Sequence, residues 1–217
     1  MKNKIKLSSV TTYKFGGFCN NYYELNETNI NEYREIFSDN DNFILGKGSN
    51  VAFSDKGYAG NVIHPKFKKI SYDENTSEIN VGSSVYLPDL ARFCKNNNLI
   101  NSEFLIGIPG SVGGAIKMNA GAYGWEFSDL FVSLEAYNFI EKHYETLDKQ
   151  QIKFGYRMSN NLERKIIVSA KLKGIKGDPK LIKERLKEYT TYRKNTQPAG
   201  IYNAGSVFKN HKEYSAG

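Results

Sequence analysis

Two stretches of this 217-residue sequence carry almost no reactive side chains, and the chemistry they offer is that of the backbone. GIPGSVGGAIKMNAGAYG, residues 107–124, holds six glycines and three alanines, with one lysine and no acid. Gly107, Gly110, Gly113 and Gly114 clear side chains from one run of main chain. Pro109 fixes a turn and Ser111 adds a hydroxyl donor. Glycine lets the chain turn sharply and lie close to a ligand, and successive N–H groups can form an anion nest. Such a surface suits a pyrophosphate and a flat ring. GKGSN, residues 46–50, offers the same on a smaller scale after an apolar run. A plain tight turn explains GKGSN taken alone, and a packing corner explains the longer run. Two such loops on one chain point instead to a dinucleotide held by backbone amides. Neither is a GxGxxG opening a long helix, and there is no GK[ST] P-loop.

The elements that must position these loops follow from periodicity. Short strands are predicted over 22–25, 43–45, 51–53, 60–64, 68–72 and 77–81, and longer ones over 130–139 and 166–172. Helices are predicted over 29–38, 87–96 and 179–193. The second has Pro88 in its first turn and Leu87, Leu90, Ala91 and Cys94 on one face. Strands precede, surround and follow the helices without a regular βαβ rhythm. The class predicted is α+β, not a doubly wound sheet.

Composition narrows the partners. The chain is 40% hydrophobic and 13% aromatic, enough for a core, with a formal net charge of +7. The lysines are scattered along the chain, which suits a solvated surface and a small polyanion better than nucleic acid. Cys19 and Cys94 lack metal-ligand spacing and read as reduced thiols. His64, His143 and His211 form no metal pattern, and no metal is expected. The N-terminus lacks an apolar signal segment and no run approaches a membrane span. A cytoplasmic protein, with no membrane partner and monomeric, is the expectation.

GKGSNV, then GIPGSVGGAIKMNAGAYG, then YRMS (residues 156–159), then NAGSVFKN (residues 203–210) come in an order and spacing that resemble the UDP-N-acetylenolpyruvoylglucosamine reductase family. TTYKFGG, residues 11–17, is similar to that family's N-terminal signature. The resemblance covers essentially the whole chain. It implies an FAD-binding α+β fold of the vanillyl-alcohol-oxidase type, with subdomains over 1–64 and 65–178 and the start of a substrate subdomain over 179–217. It implies that Gly46, Lys47, Gly48, Ser49 and Asn50 face FAD. With them go Gly107, Ile108, Pro109, Gly110, Ser111, Gly113, Gly114, Ala115 and Ile167.

The implied reaction is reduction of an enolpyruvyl nucleotide sugar, with NADPH as hydride donor and FAD as carrier. By the same resemblance Arg157 grips the substrate carboxylate and Ser206 donates a proton. Tyr156, Lys194 and Asn210 lie near the substrate. The family's late glutamate has no counterpart: Glu213 is the only acid after Ser206 and sits too early. The sequence therefore reads as a C-terminally incomplete member, able to bind FAD but slow in turnover. A non-catalytic flavin-binding module derived from the family is the alternative, and an oxidase of the same flavin fold is a remoter one.

Overall fold

The computed structural model describes residues 4–33, 37, 41–197, 202, 205 and 208–211. Two sheets form the frame. The first is parallel and three-stranded, in the order β1 (Cys19–Leu25), β3 (Tyr58–Pro65), β2 (Asn42–Ile44). The second is antiparallel, with β4 (Ile70–Asp73), β5 (Glu78–Gly82), β6 (Phe131–Asn138), β7 (His143–Asp148) and β8 (Lys165–Lys173) ordered β7–β6–β8–β5–β4. Three helices matter for the site: α1 (Leu87–Asn96), α2 (Val112–Met118) and α3 (Pro179–Thr196).

Burial explains the arrangement. In β3, Val62 and Ile63 are fully buried, as expected of a parallel strand paired on both edges. The largest core joins β5, β6 and β8 to the apolar faces of α1 and α2, through Leu87, Leu90, Ile116, Leu134 and Leu172. A second cluster bridges the sheets: Tyr23, Ile63 and Phe67 meet Tyr137 and Ile166. Both cysteines are buried and unpaired.

The α+β expectation holds, two local ones need correction, and one is met in part. Residues 51–53 form no strand, because β3 already has a neighbour on each edge. Phe53 is still buried, edge-on to Phe43 at 5.0 Å between ring centroids. Of the helix expected over 29–38, Ile30–Tyr33 is a 3₁₀ turn and Phe37 is helical, with residues 34–36 and 38 outside the described set. The long glycine-rich run is not loop throughout, since its centre is α2. Ser111 caps that helix by accepting from the Gly114 N–H at 3.4 Å, and Asn119 closes it in the left-handed conformation, φ 40°.

Candidate functional site

The two glycine-rich segments meet across one cleft of about 1370 Å³ between the sheets. Pockets for drug-sized ligands run to roughly 300–1,000 Å³, so a cleft larger than that has room for a dinucleotide. Residues 46–50 follow β2 directly, and a Cβ placed on Gly46 would come within 2.7 Å of Ser111 Oγ. The loops therefore touch. Gly48 has φ +66°, and a Cβ there would strike the Val10 carbonyl at 2.4 Å. Thr12 N–H donates to the Gly48 carbonyl at 2.9 Å, so the N-terminal TTYKFGG segment supports this loop. The second segment is laced to residues 83–87: Leu87 N–H donates to Gly110 O, Val112 N–H to Val85 O and Gly113 N–H to Ser83 O.

The glycines divide by what surrounds them. A Cβ on Gly113 would press on Ser83 Cβ at 3.2 Å, so at that position a side chain meets the protein itself. A Cβ on Gly110 would meet nothing nearer than Leu87 Cδ1 at 3.6 Å, and one on Gly114 nothing nearer than Ser111 Oγ at 3.5 Å. Packing leaves room for side chains there, and both positions line the cleft. Their smallness fits a ligand lying against the backbone. Ser83 and Ser84 supply a second sign: both hydroxyls are buried at the cleft wall without a hydrogen-bond partner among the described residues. A polar ligand would satisfy them. The lining is also strongly cationic. Lys14, Lys47, Lys66, Lys117, Arg164 and Arg193 all contribute, and Glu163 is the only acid among the described lining residues. Glu163 is itself paired with Lys117 at 3.3 Å. A dinucleotide fits this cleft in shape and charge.

His64 lines the cleft end formed by β3. Its Nδ1 is hydrogen-bonded to the Tyr22 hydroxyl. Burial, helped by the neighbouring Lys66 ammonium, holds its pKa down at about 4, so the ring is neutral at pH 7. Among the described residues no group of His, Cys, Asp and Glu could hold a metal, and no helix is long and apolar enough to cross a membrane.

Comparison with known proteins places this cleft. Residues 40–139 match the FAD binding domain family model. UDP-N-acetylenolpyruvoylglucosamine reductase of Rickettsia massiliae is 40% identical over 168 residues, 76% of this chain and 56% of the relative. The reductase of Orientia tsutsugamushi (strain Boryong) is 35% identical, over 99% of this chain and 73% of the relative. The chain belongs to the UDP-N-acetylenolpyruvoylglucosamine reductase family. The crystal structure of the Thermus caldophilus reductase superposes with a TM-score of 0.85 at 30% identity, covering 99% of this chain and 76% of that one. The chain thus spans little more than half the length of the Rickettsia reductase and about three-quarters of the other two.

The remaining residues can be placed within this reductase fold. Arg157 lines the cleft in a two-residue turn between short antiparallel strands, Phe154–Gly155 and Met158–Ser159. Its φ is 56°, an uncommon conformation for a residue with a side chain and one that concentrates at functional positions. Its guanidinium is aimed by three contacts: Nη2 donates to Gly121 O at 3.0 Å, Nη1 lies 3.8 Å from Glu126 Oε1, and the group sits 4.9 Å from the Tyr156 ring centre. Tyr156 and Asn210 also line the cleft. Ile167, on β8, reaches it where the ladder to β6 slips between Ile167 and Ser169. Such an irregularity re-aims side chains beside a site.

Every residue expected at the cofactor lines this one cleft. Lys194, expected near the substrate, does not. It is exposed on α3, and Arg193 reaches the cleft in its place. Successive helical residues diverge by about 100°, so two neighbours cannot face the same way. Ser206, Glu213 and the rest of residues 212–217 lie outside the described residues. Sequence reading missed Ser83 and Ser84, whose only signal was a polar pair directly after the Gly82 end of a strand.

Proposed function

We propose that this chain works as an FAD-dependent reductase of an enolpyruvyl nucleotide sugar in peptidoglycan precursor synthesis, with NADPH as hydride donor. The observation that carries the reading is the side-chain-free wall at Gly110 and Gly114, where packing would tolerate a methyl group and a close-lying ligand would not. When bound, FAD supplies the redox chemistry, relaying hydride from NADPH to the enolpyruvyl double bond. Residues 46–50 and 107–115 would hold its pyrophosphate and ring through backbone amides, with Ile167 against the ring and the Ser83 and Ser84 hydroxyls as added partners.

Arg157 would hold the substrate carboxylate. Hydride addition at the terminal carbon builds negative charge next to that carboxylate, and a fixed guanidinium stabilises it more in the transition state than in the ground state. Gly121 and Glu126 keep the guanidinium in place before the substrate arrives. Ser206 would deliver the proton to the other carbon, and Tyr156 and Asn210 would border the substrate. A serine hydroxyl is a weak acid, so this role depends on close positioning. The two sheets, over 1–64 and 65–178, would act as the two walls of the cofactor site.

The test is direct. Purified with added FAD, the chain is expected to be yellow, with blue absorbance that stays with the protein through gel filtration. A folded, colourless protein that ignores added FAD would sink the reading.

A further inference from the structure

A second concavity, of about 310 Å³, lies away from the cofactor cleft between α1 and α3. Arg92 and Lys95 of α1 face Lys183 and Lys187 of α3 across a floor of Ile106 and Leu186. Arg92 is held by Asp89 at 2.7 Å, whereas Lys95, Lys183 and Lys187 form no ion pair among the described residues. Residues 183, 187 and 194 follow helical spacing on one face of α3, so Lys194, which turns away from the cofactor cleft, extends this basic stripe. At 1.5 Å per residue the stripe runs for roughly 16 Å.

We propose that this groove is a docking site for an acidic peptide segment of a partner protein, with one apolar side chain seated on Ile106 and Leu186. Charge and shape select the occupant. Unpaired ammonium groups around an apolar floor complement carboxylates flanking an apolar anchor. A stripe of about 16 Å matches roughly five extended residues at about 3.3 Å each. A bilayer is a poorer match because Ile106 and Leu186 are half-buried while the lysines around them are exposed. Single-stranded nucleic acid is a poorer match because no aromatic ring among the described residues lines the groove to stack a base. A second copy of the chain would bring its own net positive charge against the patch.

The probe is a short fluorescein-labelled peptide of glutamates around a central leucine pair, titrated by anisotropy at physiological salt. Wild-type protein is expected to bind it. The double variant Lys183→Glu/Lys187→Glu is expected to weaken binding by about tenfold or more, since like charges now face each other. Lys56→Glu/Lys173→Glu, which changes net charge equally at exposed sites elsewhere, is expected to leave binding within about twofold. Replacing the leucines of the probe by glycine is expected to weaken binding to wild type only. Circular dichroism checks that both variants are folded. No binding by wild type, or equal loss in both double variants, overturns the proposal. Tighter capture of a DNA oligonucleotide or of anionic phosphatidylserine vesicles, lost in the groove variant, overturns the choice of occupant. So does a concentration-dependent dimer that the groove variant abolishes.

Discussion

Gly113 and Gly114 are adjacent and look interchangeable in the sequence, yet their surroundings assign them different work. Gly114→Val puts a branched side chain towards the cleft, where Ser111 Oγ at 3.5 Å is the nearest atom beyond the helix's own backbone. It should leave the melting temperature nearly unchanged while weakening FAD binding by about 10–100-fold, the range expected when a snug contact is overfilled. Gly113→Val pushes on Ser83 and should cost the protein without cofactor roughly 1–3 kcal/mol, seen as a lower urea midpoint. Equal FAD affinity in wild type and Gly114→Val would show that the wall is not a ligand surface. Arg157 makes a complementary case, because its contacts tie it to the protein while leaving its role in substrate handling open to test. In a protein extended to the length of its relatives, Arg157→Ala should keep FAD bound but slow reduction of the enolpyruvyl substrate by about 10²–10³-fold. Stopped-flow measurement of the two half-reactions checks this: flavin reduction by NADPH should change far less than flavin reoxidation by substrate.

Helix α2 shows how an element can be both legible and hidden. The small residues of 107–124 announced a surface for close approach, because a missing Cβ is visible in sequence. That Val112–Met118 forms a helix was not visible, since Gly113 and Gly114 both lower helix propensity. The helix exists because Ser111 caps it and Ile116 and Ala115 bury in the main core. Ser111→Ala should therefore destabilise the fold by about 0.5–1 kcal/mol, the low end for a cap because the bond is long. Urea unfolding measures this, and an unchanged midpoint would mean that packing alone sets the helix. Helix α1 was legible for the opposite reason: its apolar face and Pro88 agree with each other, and both are buried. Residues 51–53 misled because alternation cannot report whether a neighbouring edge is free. Lys194 misled because a motif position gives no direction around a helix axis.

For the whole molecule, the cleft's proximity to β3 makes acid stability informative. The His64 pKa is about 4 in the folded chain against about 6.5 unfolded, so the unfolded chain binds the extra proton first as pH falls. Stability attributable to His64 is therefore complete above about pH 6.5 and is lost as pH falls towards 4. Its full size is at most about 3 kcal/mol, less whatever solvent screening removes. Buried Glu103, whose carboxyl is pushed up by burial, works in the opposite sense at the acid end. Urea midpoints of wild type and His64→Gln across this window separate the two, and the curves should converge on acidification. A different consequence follows from β8 as the middle strand of the five. The β4–β5 and β6–β7 pairs are neighbours in sequence and can each form as the chain emerges from the ribosome, but only β8 joins them. It begins about eighty residues after β5 ends. At roughly 5–20 residues per second that is a delay of about 4–16 s. During it the inner edge of the β4–β5 hairpin and the apolar face of α1 stand open, whereas the β6–β7 hairpin, finished at Asp148, waits only about seventeen residues for Lys165, so the first hairpin depends on whatever shields its edge until β8 arrives.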